Sequence, residues 1–290
     1  MLDGWRKDDP PVNKMLPVEA DVVELLVDWG QRKGASLLMQ ATADLCFIAF
    51  FFLLRVGEYT CKASRNDTKQ TVQFRMKDVT FFKKDKLGRL RQLPRASPDW
   101  MIMSADGATL TLSNQKNGWQ NVSIHHEWSG DDLKDAVRAI GRRFCHIRRH
   151  MANDWETFLS AVFTEEGRCD VTDKNITEAL KAAAGSLQYP EMRGIPLECI
   201  NTHSLRVGGA NALALSGYNE MQIQKMGRWR GDTFKTYIRE QLANFSEGMS
   251  RAMKKSFGFV NVEGGVLHDI TNTVTGLAYN VAVSEGAAAA

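Results

Sequence analysis

Residues 201–239 read NTHSLRVGGANALALSGYNEMQIQKMGRWRGDTFKTYIR, and three side chains within them could do chemistry together. His203 and Arg206 are three apart, so on a helix both project from one face. Tyr237 stands thirty-one positions beyond Arg206 (237 − 206), two before the basic Arg239. A cation, an imidazole and a phenol on adjoining helices suit attack on a phosphodiester. The phenol oxygen displaces a sugar oxygen while the cation holds the negative phosphate. A start signal at Asn201-Thr202 and breaks at Gly217 and Gly231 divide the stretch into three helical pieces.

The stretch resembles the carboxy-terminal box of the tyrosine recombinase (phage integrase) family, which runs His-x-x-Arg, then Trp or His, then Tyr. The matching positions are His203, Arg206, Trp229 or its neighbour Arg228, and Tyr237. The first pair alone carries little, because His146 and Arg149 repeat its spacing. No Gly-Arg-Trp segment follows that second pair, and its next tyrosine, Tyr189, precedes a proline. In the family the Trp or His usually stands nine before the tyrosine, which is Arg228 here, whereas Trp229 stands eight before (237 − 229). Either Trp229 serves, or Arg228 supplies the donor.

These residues need elements to hold them. Residues 17–33 read as an amphipathic helix through Val22, Val23, Leu25, Leu26 and Trp29. A more apolar helix is expected over 36–56, stopping at Gly57. At its end FFLLRVGEYT puts Arg55 after four apolar residues, with Glu58 three later. A local Arg55–Glu58 ion pair at the surface is the plain reading. The segment also resembles the family's first arginine box, which implies that Arg55 sits beneath a phosphate with Glu58 in support.

A strand is expected over 71–82, then a basic solvated loop over 83–100. In TLTLSNQKNGWQNVSIHHEW, Leu110 and Leu112 alternate against Val122 and Ile124 around Asn117-Gly118, a hairpin with Lys116 at its tip. A lysine beside a turn normally faces solvent; the family resemblance implies that Lys116 is the general acid.

Residues 131–151 read as one helix, acidic at its start and basic at its end. His146 and His150 could share a metal, but no carboxylate lies between them as in HExxH, and Arg148 and Arg149 repel a cation. The expectation is no metal. Instead a solvated basic face of Arg142, Arg143, Arg148 and Arg149 is open to DNA phosphates, as is Arg239. Short helices are expected over 155–163 and 174–188, the second ended by Tyr189-Pro190. Leu242, Phe245, Met249 and Met253 suggest a last helix over 241–257.

The 290 residues can bury a sizeable core, and a net charge of +3 permits a nucleic-acid partner without demanding one. Five cysteines without a CxxC pair suggest reduced thiols inside a cell, in the nucleus if the source is eukaryotic. The longest apolar run, 45–54, is ten residues against the roughly 18 or more a membrane helix needs, and the polar opening is no leader. Three divisions follow: a linker or edge over 1–17, a catalytic domain over 18–257, and a poorly ordered tail over 258–290.

The resemblance covers about 18–256, in the family order Arg55, Lys116, His203, Arg206, Trp229, Tyr237. It implies a mainly α fold with a small antiparallel sheet (α+β), double-stranded DNA as partner, self-association on DNA, and no cofactor. The phrases LLRVGEYT and GRWRGDTFKTYIR look most like the eukaryotic mobile-element (Crypton-like) branch. The family's amino-terminal clamp domain has no room before Pro17, so a fragment or a repurposed copy is expected. The activity implied is DNA cleavage and rejoining through a 3′-phosphotyrosyl link, as a recombinase or integrase. The alternatives are a catalytically silent DNA-binding protein, a type IB topoisomerase, and a helical scaffold with coincidental residues.

Overall fold

The apolar run at 45–54 lies largely within the main buried hydrophobic cluster. The computed structural model describes residues 15–61, 71–112, 121–152, 154–229 and 231, and two strands within 259–268. Helix α1 (Ala20–Gly30) buries Val22, Val23, Leu26 and Val27, the stripe its periodicity requires. Helix α2 (Leu37–Phe51) opens on Ser36, whose hydroxyl accepts from the Met39 amide at 3.1 Å. Every residue from Ala41 to Phe50 is buried, as expected for a helix apolar all round.

α2 ends five residues earlier than the sequence pattern suggests. Leu53 turns into the left-handed region (φ 48°), and Val56–Tyr59 forms a separate short helix, α3, with Arg55 as its N-cap residue. Gly57 is therefore inside α3 and is not a stop. A left-handed leucine is costly, so something must hold it there.

Strands β1 (Val79–Lys84), β2 (Leu90–Gln92), β3 (Gly107–Leu112) and β4 (Val122–Glu127) form one antiparallel sheet in the order β2-β1-β3-β4, with α4 (Asp99–Met103) between β2 and β3. The expected strand at 71–82 thus begins only at Val79. Part of the expected basic loop is a hairpin in which Arg89 and Arg91 pair locally with Asp85, while Lys84 reaches Glu127 at the end of β4. β3 and β4 pair Leu110 with Ile124 and Leu112 with Val122, so the two expected strands do pair, in a register one residue away from that of a two-residue turn at Asn117-Gly118. The tip carrying Lys116 lies outside the described residues.

Helix α5 (Ala136–His150) starts at its cap Asp135, which accepts from the Arg138 amide at 2.9 Å. Strands β5 (Ala161–Thr164) and β6 (Gly167–Asp170) make a hairpin where a short helix over 155–163 was expected. Helix α6 (Asp173–Ser186) follows. Pro190 then lies at the start of α7 (Tyr189–Arg193), where a missing amide costs nothing, so it opens a helix after ending one.

Helix α8 (Thr202–Leu215) is capped by Asn201, and α9 (Glu220–Gly227) by Asn219. α8 lies hard against α2. A Cβ on Gly208 would overlap the Val18 carbonyl oxygen, and one on Gly209 the Phe50 carbonyl oxygen. The glycine pair is what lets the start of α8 reach the end of α2. The fold is mainly α with a small antiparallel sheet, as the sequence led us to expect.

Residues 240–290 cluster as a second unit, in which β7 (Phe259–Val262) pairs antiparallel with β8 (Gly265–His268). The expected tail at 258–290 thus contains a hairpin. Among the described residues no helix is long and apolar enough to cross a membrane.

Candidate active site

Where α2 stops, its last carbonyls lose their helical partners and carry the negative end of the helix dipole. The Phe51 oxygen accepts from His126 Nε2 at 2.9 Å. The Phe52 oxygen accepts from Arg228 Nη1 at 3.3 Å. The Leu53 oxygen accepts from two guanidiniums, Arg206 Nη1 at 2.6 Å and Arg228 Nη2 at 3.1 Å. Those contacts hold the left-handed turn at Leu53, and in return the turn fixes the guanidinium planes.

Arg206 is 3% exposed and donates a second bond to the Gly227 carbonyl oxygen. Its guanidinium lies 4.4 Å from the Trp229 ring centroid, a cation–π contact in a desolvated setting. Gly227 permits this: a Cβ there would overlap the Trp229 ring. Arg228 adopts φ 57°, which turns its side chain inward while Trp229 faces the other way.

Glu58 is fully buried. Its carboxylate accepts from the Arg55 amide and from Arg228 Nη2, both at 2.9 Å, and from Arg55 Nη1 at 3.4 Å. The plain expectation of a surface Arg55–Glu58 pair is half right. The pair exists, but only Arg55 reaches outward, with 23% of its side chain exposed.

Arg55, His203, Arg206 and Trp229 line one cavity of about 270 Å³, with Leu54, Val56 and Thr202. The four residues named from sequence order therefore meet, though they span 174 positions (229 − 55). Burial, followed by the adjacent positive charge of Arg206, holds the His203 imidazole below its ordinary value. The ring is then neutral near pH 7 and able to accept a proton. Two cations, a neutral imidazole and an indole around an open space form a receptor for a singly or doubly charged oxyanion.

Of the other residues singled out in the sequence, Lys116, Tyr237 and Arg239 lie outside the described residues. Arg228 does not line the cavity; it is 1% exposed behind it, so the reading in which it supplies the cavity donor is corrected. Its burial depresses its pKa, opposed by Glu58.

The solvated basic face on α5 does not form. Arg143 is 3% exposed and donates to the Leu159 and Ala161 carbonyls. Arg142 binds buried Asp44, and Arg148 binds the Ser97 carbonyl and Asp99. Only Arg149 has a mostly exposed side chain, and it too pairs with Asp99. Periodicity did not reveal this, because an arginine on the inner side of a helix reads like one on the outer side until its acceptors are known. The glycine pair 208–209 was also passed over. Two glycines inside a helical pattern each cost about 1 kcal/mol against alanine, and that cost was the available signal.

No protein-family model and no curated protein matches this sequence. Solved structures show partial likeness. The Tn1549 transposon integrase (residues 82–397), in complex with circular intermediate DNA, is 12% identical over 84% of this chain and 69% of that one, with a TM-score of 0.41. XerA recombinase is 12% identical over 86% of this chain and 68% of that one, at 0.46. XerH site-specific recombinase bound to its difH substrate is 12% identical over 85% of this chain, at 0.48. This chain spans only 56% of the XerH chain. These likenesses do not support the Crypton-like branch.

Proposed function

We propose that this chain cleaves and rejoins double-stranded DNA through a 3′-phosphotyrosyl intermediate, as a site-specific recombinase or integrase. The observation that carries the reading is the shared cavity of Arg55, His203, Arg206 and Trp229. Arg55 and Arg206 hold the non-bridging oxygens of the scissile phosphate as negative charge grows on them. Trp229 adds an indole N–H and packing.

The Tyr237 oxygen attacks phosphorus, and its proton passes to the neutral His203 ring. A phenol with an ordinary pKa near 10 needs this help at neutral pH. The bond from phosphorus to the 5′ oxygen breaks as the bond to tyrosine forms. Lys116 gives a proton to the departing oxygen. One phosphoester replaces another, so a second 5′ hydroxyl can reverse the step with no cofactor. Arg239, beside the nucleophile, contacts the DNA backbone, and exchange between two DNA sites requires self-association on DNA.

The test uses nicked suicide duplexes with randomised sequence around the nick. A detergent-resistant protein–DNA adduct is expected, absent in Tyr237→Phe. Salt-sensitive duplex binding without an adduct, unchanged in Tyr237→Phe, would make the chain a DNA-binding protein that lacks the reaction. Relaxation of supercoiled plasmid with no partner site would mark a type IB topoisomerase instead.

A further inference from the structure

Behind the cavity, one buried carboxylate faces two guanidiniums that have different fates. Glu58 receives Arg228 Nη2 at 2.9 Å and Arg55 Nη1 at 3.4 Å. Arg55 continues to the cavity wall, whereas Arg228 does not line the cavity although its chain neighbour Trp229 does. Arg228 also ties the Phe52 and Leu53 carbonyls, and so shares the Leu53 oxygen with Arg206.

Stability alone is a poor reason for this arrangement. The Arg228 Nε is buried with no hydrogen-bond partner among the described residues. An orphaned buried donor is costly, and buried ion pairs are often replaceable by apolar side chains at no loss. Charge gives a better reason. Arg55 and Arg206 both line the cavity, and a phosphate passing through a doubly charged state is best held by the charge of both. Without Arg228, Glu58 would be left to neutralise Arg55.

We infer that Arg228 is a positioning residue: it occupies Glu58, so that the charge of Arg55 stays directed at the cavity beside that of Arg206. The role rests on the strand-transfer reading for its purpose, but its test does not require strand transfer.

The test follows the His203 ring proton resonance through a pH titration by NMR, assigned against His203→Gln, and the affinity for inorganic phosphate. In Arg228→Met the uncompensated carboxylate should raise the His203 pKa and weaken phosphate about tenfold, the order expected for one unit charge near a partly desolvated site. In Glu58→Gln the uncompensated guanidinium should do the opposite on both counts. The double variant Glu58→Gln with Arg228→Met should return both to near the parent values. Arg228→Lys, which keeps charge but loses the fork, should stay near the parent and covers the case in which Arg228→Met does not fold.

Opposite shifts in the two single variants support the inference, because a packing role would move both in one direction. Shifts of the same sign, or none in Arg228→Lys and the double variant alike together with an unchanged Arg228→Met, would overturn it. Opposite shifts in a protein that never forms an adduct would retain the electrostatic role and discard strand transfer. An adduct-forming parent without those shifts would discard only the inference.

Discussion

The chain contains two His-x-x-Arg pairs on two helices, and they differ in what holds the arginine. His146 and Arg149 lie at the end of α5; His203 and Arg206 lie at the start of α8. Both pairs border a cavity, of about 240 and 270 Å³. In the first, His146 Nε2 accepts from the Phe163 amide at 3.1 Å, Arg149 is tied to Asp99, and buried Asp44 answers Arg142. The helix end there is negative, carboxylates hold Arg142 and Arg149, and Arg143 turns to the Leu159 and Ala161 carbonyls. In the second, the helix start is positive, Arg55 joins Arg206, and the carboxylate behind them is shared with Arg228. Identical spacing leads to a carboxylate partner for Arg149 and to carbonyl partners for Arg206, and a carboxylate cancels a guanidinium's charge whereas a carbonyl does not.

Substituting the arginines should separate the two regions most strongly. Arg206→Ala is expected to lower adduct formation by roughly 10²–10³, as for loss of one donor aimed at a developing oxyanion. Arg149→Ala should leave the adduct rate within about twofold, consistent with an exposed ion pair. Equal losses in quenched-flow assays of the two variants would erase the distinction drawn above.

The histidines come next. His203→Ala should slow cleavage by about 10² or more, the lower range for general base catalysis, while His146→Ala should not change the single-turnover rate. The His203 ring is held below its ordinary value, so the rate should fall as pH drops below that of a free imidazole. A rate that rises on acidification would assign the proton transfer elsewhere.

Packing at the start of α8 is the third contrast. Gly208→Ala forces a methyl against the Val18 carbonyl and should cost about 1–3 kcal/mol, measured by urea denaturation. Gly217→Ala, with no atom of the described residues within 4 Å of its Cβ but a φ of 84°, should cost about 1 kcal/mol through backbone strain. A reversed order would show that the close approach of α8 to the Val18 carbonyl is not under tension.

The last contrast is a pH dependence of stability. His126 and His146 are both pushed down to about 4, chiefly by burial. Between that value and an ordinary imidazole near 6.5, the unfolded chain binds protons that the folded one does not. Stability from these two rings is therefore full above about pH 6.5 and is lost as pH falls towards 4. Removing His126 by substitution with Gln should flatten that slope in thermal melts taken across the same range.

Much of the local structure was legible. The start signal at Asn201, the stripe of α1, and the antiparallel pairing of the strands carrying Leu110 and Ile124 all follow from short-range chemistry. The break at Leu53 was not, because nothing in FFLLRVGEYT distinguishes a helix that continues from one that stops. Two arginines more than 150 positions away hold that break, through the Leu53 carbonyl. Arg143 and Arg148 of α5 misled for the same reason: periodicity assigns a face, and burial with a carbonyl acceptor overrides it.

By itself the sequence determined which side chains are available and in what order, since residue type and helical spacing are local properties. It also determined an all-round apolar α2 that must be central, because nothing else could cover it. Only the tertiary structure decided that Arg55 and Arg206 open onto a cavity while Arg228 turns away to Glu58. The physical reason is that a buried charge goes where its counter-charge and its carbonyl acceptors are, and those partners come from distant parts of the chain.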